Sequence, residues 1–140
     1  MKRKVKKLSP YNYHEEDLEF AVLAINTHSK GYKLCWNINK KLNWDLKKIK
    51  DHTTKENTYF TRYGYETEDY EYELMANQSS SGYLLPSKKN VNFFLKITSP
   101  FCNKKKQEIA KSFQKIPEVL LVFGLELKKQ EYTERFISND

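Results

Sequence analysis

Cys102 stands immediately before Asn103 and the triplet Lys104-Lys105-Lys106, the best placement in this chain for an activated nucleophile. A helix N-terminus and three neighbouring ammonium groups both favour a thiolate, so this thiol is expected to titrate below the usual range. No His or acid partner for it can be identified. Cys35, beside Trp36, falls on the apolar stripe of an expected helix, where desolvation raises a thiol pKa and silences it. His14-Glu15-Glu16 offers an imidazole and two carboxylates, but adjacent residues do not share a helix face. His28 and His52 have no ligand spacing either, so these acids read as a helix start rather than a metal site. Ser79-Ser80-Ser81-Gly82 has neither a GxSxG arrangement nor a P-loop pattern and reads as a turn. No catalytic residue, metal ligand, cofactor or small-molecule ligand is assigned.

The charged residues carry more. Lys2, Arg3, Lys4, Lys6 and Lys7 form a dense cationic arm, and Lys104, Lys105 and Lys106 sit at a helix start, where acids are expected. These eight are the candidates for anion or nucleic-acid binding. Tyr63, Tyr65, Tyr70 and Tyr72, on a predicted hairpin, are the candidate interaction surface. Against RNA, the only arginines are Arg3, Arg62 and Arg135, and lysine supplies salt-sensitive attraction rather than bidentate readout. Glu66, Glu68, Asp69, Glu71 and Glu73 would also repel phosphate from the tyrosines. A basic arm and an acidic hairpin suit electrostatically steered docking to a protein partner or to a second copy. The expected function is therefore a non-enzymatic interaction domain. RNA binding is the alternative, and a Cys102 enzyme is third.

These groups need a scaffold, and composition bounds it. A chain of 140 residues, 39% hydrophobic with 14% aromatics, reads as one domain with enough core to fold alone despite its net charge of +7. Four Gly and four Pro leave no room for long linkers. Two cysteines without CxxC spacing favour a reducing compartment. The basic N-terminus lacks an apolar h-region, and Phe20–Ile25 is too short to span a bilayer, so a cytoplasmic protein with no membrane insertion is expected.

Along the chain, residues 4–8 suit a lysine-guarded edge strand. Residues 15–27 read as a helix, with a buried strand as competitor, and residues 31–42 as a second helix with Tyr32, Cys35, Trp36, Ile38 and Leu42 on its stripe. Residues 43–55 read as an irregular connection. Residues 59–77 read as a hairpin whose register is fixed by cross-strand tyrosines. A short strand over 83–85 and a strand over 91–98 follow. A helix over 104–115 is capped by Asn103, with Ile109, Ala110, Phe113 and Ile116 inward. Pro117 ends it and biases Ile116 toward extended backbone. Residues 119–127 read as a buried final strand with a bulge or close approach at Gly124, and residues 128–140 as a polar, fraying tail. The fold class is α+β: a mainly antiparallel sheet with two or three helices packed on one face, a ferredoxin-like variant being one candidate.

Ile116-Pro117-Glu118, then Val119-Leu120-Leu121, then Val122-Phe123-Gly124 resembles the signature of the bacterial IPExxxVDY family, whose pattern ends in Val-Asp-Tyr. Tyr32-Lys33-Leu34-Cys35-Trp36-Asn37, Gly82-Tyr83-Leu84-Leu85-Pro86 and Phe93-Phe94-Leu95 extend the resemblance from about Leu18 to Leu127. It implies no activity. Phe123 and Gly124 replace the family's Asp and Tyr, so no role of those side chains carries over. Ile116, Pro117, Glu118 and Val122 are the signature positions, and Glu118 is the one polar group among them, suited to holding a loop by accepting backbone hydrogen bonds.

Overall fold

Phe20–Thr27 (β1) is where the helix and strand readings of the sequence compete, and it is a strand. Ala21, Leu23 and Ile25 are buried on one face, and Phe20, Val22 and Ala24 on the other. A short helix buries one stripe, whereas a central strand of a sheet covered on both sides buries every side chain. The computed structural model describes residues 19–127 and 130–139, so the expected strand over residues 4–8 and the acids at 15–17 lie outside the described residues.

The elements that follow are α1 (Gly31–Leu42), β2 (Lys47–Thr53), β3 (Tyr59–Glu66), β4 (Glu71–Ala76), β5 (Gln78–Ser79), β6 (Gly82–Tyr83), β7 (Phe93–Thr98), α2 (Cys102–Gln114), β8 (Val119–Leu125) and α3 (Gln130–Arg135). Six strands form one sheet in the order β2-β3-β4-β7-β1-β8, each neighbour antiparallel. β5 and β6 make a separate ribbon. The α+β class with a mainly antiparallel sheet is thus observed. β1 lies between β7 and β8, so the last two strands run parallel to each other with β1 between them. The β4-β7-β1-β8 part interleaves early and late strands, and β2 and β3 extend it.

α1 and α2 cover one face. Leu34, Cys35 and Ile38 of α1, with Ile109 and Phe113 of α2, pack on Leu23, Ile25, Leu74 and Leu95. The buried arc of α1 centres on Leu34, Ile38 and Leu42, which leaves Tyr32 and Trp36 on its flank rather than on the expected stripe. α2 starts at Cys102, earlier than expected, with Phe101 rather than Asn103 at the N-cap and no side-chain cap. Asn43 closes α1 in left-handed backbone (φ 58°), and Asn39 pins the exit by accepting from Leu46 N–H at 2.8 Å and donating to its carbonyl at 3.2 Å. The connection expected over 43–55 then becomes strand β2. Its Lys47, Lys48 and Lys50 read as polar loop in the sequence because an edge strand shows half its side chains to water.

The hairpin forms as expected, with Tyr65 opposite Tyr72 and Tyr63 opposite Leu74. Tyr65 and Tyr70 stack on Tyr72 at 5.9 Å, and Trp44 stacks on it from the helical layer at 4.1 Å.

The second face is covered too. Phe20, Val22, Phe60, Met75 and Phe94 meet Leu84, Leu85 and Val91 from the segment between β6 and β7, and Phe136 after α3. Asn77, fully buried, holds that segment by donating to the Lys88 and Val91 carbonyls (2.9 and 2.8 Å) and accepting from Leu85 N–H (2.9 Å). Residues 130–139, expected to fray, pack on this face instead. Arg135 donates to the carbonyls of Leu84 (2.6 Å) and Tyr83 (2.9 Å), Lys96 donates to the Phe136 carbonyl (2.9 Å), and Phe136 packs edge-on against Phe94 at 5.1 Å. The polar composition of 128–140 hid this because its anchors are one arginine and one phenylalanine.

Candidate interaction surface

Ile116, Pro117, Glu118 and Val119 form a tight turn closed by a Val119 N–H to Ile116 carbonyl bond of 3.0 Å, with Pro117 and Glu118 at its centre. Ile116 is core. The turn is tied to the end of β1, because Thr27 Oγ1 donates to the Glu118 carbonyl at 2.7 Å and accepts from Ser29 N–H at 3.1 Å. It is thus the Glu118 backbone, not its carboxylate, that fixes the loop. Glu118 Oε2 is enclosed with no hydrogen-bond partner among the described residues.

That carboxylate borders an open groove of about 440 Å³ between the start of α1 and the start of β8. His28, Ser29 and Lys30 line it before the helix, Tyr32 and Lys33 in the first turn, and Pro117, Glu118 and Leu120 from the other side. Lys30 at the N-cap makes no side-chain cap bond, and the first turn of α1 carries no acid.

Beside the groove the surface is unusually apolar. Tyr32 is 69% exposed, Trp36 59%, Leu120 54% and Leu121 50%. Tyr32 and Trp36 are one helical turn apart and therefore neighbours, and Lys40 lies over the Trp36 ring at 4.9 Å. Leu120 and Leu121 protrude because the pairing of β8 with β1 shifts at Asn26/Thr27, which leaves Leu120 without an opposite residue. Of the bulge or close approach expected at Gly124, the bulge is at Leu120, and Gly124 is where the Lys106 side chain comes close.

The two edges of the sheet differ in kind. β2, at one edge, carries Lys47, Lys48 and Lys50 and has its own register shift between Ile49 and His52, two devices that discourage strand addition. β8, at the other edge among the described residues, reads Val-Leu-Leu-Val-Phe-Gly-Leu and carries no charge. Its expected burial is corrected: only Val119 and Leu125 are buried. Val122 N–H, pointing away from β1, is met by Gln114 Oε1 at 3.0 Å, and Gln114 Nε2 donates to the Leu120 carbonyl at 3.3 Å.

The sequence-nominated cations are not assembled into a cradle. Lys105 lies over Tyr70 at 5.1 Å and pairs with Glu108 at 3.6 Å, while the end of Lys106 lies against Gly124 on the β8 edge. Lys104 is exposed. Lys2, Arg3, Lys4, Lys6 and Lys7 lie outside the described residues. Of the four tyrosines, Tyr72 is buried and is no contact residue; its hydroxyl pKa is raised, chiefly by burial and secondarily by Tyr70 and Tyr65. Tyr63, Tyr65 and Tyr70 are half-buried against the core. Burial likewise raises Tyr63, with Cys35 contributing. Glu66, Glu68, Asp69 and Glu71 do cluster around the hairpin tip beside Glu19, so the acidic region exists. Glu73 instead points to the other face, paired with Arg62 at 2.7 Å and Lys96 at 3.7 Å.

Neither thiol is poised for chemistry. Burial pushes Cys35 up to about 12. Cys102 is 1% exposed, and its burial outweighs the lowering by backbone N–H groups and Lys106, so its pKa is raised where the sequence implied a depression. Among the described residues no cluster of three His, Cys, Asp or Glu is placed to hold a metal, and no helix is long and apolar enough to cross a membrane.

The residues that sequence reasoning missed are Tyr32, Trp36, Leu120 and Leu121. An uncharged strand is expected at the centre of a sheet, and only the strand order shows that this one lies at the edge. Compared with known protein families and with curated proteins, the chain matches none.

Proposed function

We propose that this chain is a non-enzymatic interaction domain that engages a protein partner or a second copy of itself through the β8 edge and the adjoining Tyr32, Trp36 and Leu120 surface. The observation that carries the reading is the contrast between edges: β2 is guarded by lysines, and β8 presents an uncharged apolar strand. An apolar edge beside exposed aromatics is a surface that adds a strand or buries against another chain. A cytoplasmic setting belongs to the same proposal and is supported by two cysteines that remain free and buried. So does membership of the IPExxxVDY family, which rests on the resemblance at Ile116-Pro117-Glu118 and Val122.

RNA binding is the weaker reading, since Lys105 and Lys106 lie on protein groups rather than around an anion-sized space. Affinity isolation from the native cell, with and without nuclease, separates the two. Expected is a specific protein, or the chain itself, that resists nuclease and is lost from the double variant Trp36→Ala, Leu120→Lys. Recovery abolished by nuclease and indifferent to that variant overturns the proposal in favour of RNA.

A further inference from the structure

Resting on that reading, we infer that the occupant of the β8 edge is a second copy of this chain, paired β8 to β8 in antiparallel register with Val122 on the two-fold axis. The outward backbone groups allow this register, and Gly124 and Lys106 select it. Gln114 meets the Val122 N–H and the Leu120 carbonyl, so these groups point away from β1, and by the two-residue period Gly124 points the same way. With Val122 on the axis, Val122 faces the partner's Val122 and Leu120 faces the partner's Gly124. Val122 exchanges both N–H···O=C bonds with the partner's Val122, and the Leu120 carbonyl accepts from the partner's Gly124 N–H. The set of outward groups is self-complementary, as an isologous interface requires. Gln114, an exposed side chain that now occupies two of them, swings aside.

Two further observations favour a second copy. Gly124 has no positive φ, and a side chain there would meet only the mobile end of Lys106, at 3.3 Å for Nζ. Nothing among the described residues requires glycine at this point. In the dimer it lies directly opposite the partner's Leu120, where same-face Cβ atoms approach to about 5 Å. Charge agrees: Lys106, lying over Gly124, comes within two strand residues of the partner's Glu118, so opposite charges meet across the seam. The pairing occurs twice by symmetry.

Sedimentation velocity on the full chain at roughly 100 μM, with thiol cross-linking, tests the inference. Leu121 faces the partner's Phe123 in this register, so Leu121→Lys brings two ammonium groups into the apolar interface and is expected to weaken the dimer by about a hundredfold or more. Because Leu121 is half exposed in one molecule, the variant keeps the far-UV circular dichroism spectrum of the wild type, while its melting temperature loses the concentration dependence that a dimer imposes. Val122→Cys places two thiols across the axis with Cα atoms about 5.5 Å apart, inside the disulfide range. Diamide should then give a covalent dimer, while the buried Cys35 and Cys102 do not compete. A wild-type monomer, or a dimer that Leu121→Lys leaves intact or that Val122→Cys fails to cross-link, overturns the inference. The wider reading fails separately, when nuclease-resistant recovery does not depend on Trp36 and Leu120.

Discussion

Replacing Phe136 by alanine tests whether the C-terminal segment is part of the fold. Phe136 is fully buried, and its ring meets Phe94 edge-on at 5.1 Å with an interplanar angle of 73°. Removing a buried phenyl ring costs about 3–5 kcal/mol, including an aromatic pair contribution of about 1 kcal/mol. The site is close to the chain end, and Lys96, Arg135 and Asn139 still tie the backbone to the sheet, so the cavity collapses in part. About 3 kcal/mol is therefore expected, or a melting temperature about 10 °C lower for a chain of this size. Equilibrium urea unfolding followed by circular dichroism measures it. Trp36 and Trp44 both lie on the helical side of the sheet, so the native fluorescence spectrum should hardly change while the midpoint falls. A loss below about 1 kcal/mol would refute the reasoning, because it would mean that Phe136 is not filling the second face.

Glu73→Gln should be comparably damaging, about 3 kcal/mol in the same assay, because it leaves Arg62 and Lys96 almost enclosed without a counter-charge; a change within about 0.5 kcal/mol would show that the three groups are effectively solvated. His52 is fully buried, donating through Nε2 to the Arg135 carbonyl at 2.7 Å, and its pKa is lowered by burial, with Lys96 and Arg62 adding to the lowering and Glu73 opposing it. The unfolded chain then binds this proton first, so stability is complete above about pH 6.5 and declines as pH falls toward the folded pKa. His52→Gln, which keeps a donor but does not titrate, should flatten that decline, and an unchanged pH profile would sink the assignment. Both thiols should be inert to an aromatic disulfide reagent at pH 8 in the native protein and react fully in guanidinium, while rapid native reaction of either would contradict the burial of Cys35 and Cys102.

Local pattern was enough where one element decides its own fate. The α1 stripe, the tyrosine hairpin with Tyr65 against Tyr72, and the stop at Pro117 are all written in nearby residues. It failed where burial depends on partners far along the chain. Phe20–Ile25 is apolar on both sides because β7 and β8 flank it and layers cover both faces, so neither a two- nor a 3.6-residue period is visible. The same ambiguity inverted β8, whose uncharged run is typical of a central strand though it lies at the edge. The interaction surface was legible only in fragments. Trp36 and Glu118 are conspicuous in sequence, but the fold is what sets them around one end of α1. The tyrosines drew notice for their number, and their stacking on Trp44 turns them inward.

The placement of β1 between β7 and β8 bears on how the chain is made. During synthesis β1 is the first described strand to leave the ribosome, and both of its neighbours are encoded in the last third of the chain. The β2-β3-β4 meander can form from local hairpins meanwhile, but the most apolar strand has no partner until β7 emerges, and the second face is only partly covered until Phe136 is translated. A nascent chain stalled before α3 thus carries a partly open apolar face and an unguarded strand. Emergence of β8 completes the sheet, and residues 130–139 then cover what remains of the second face.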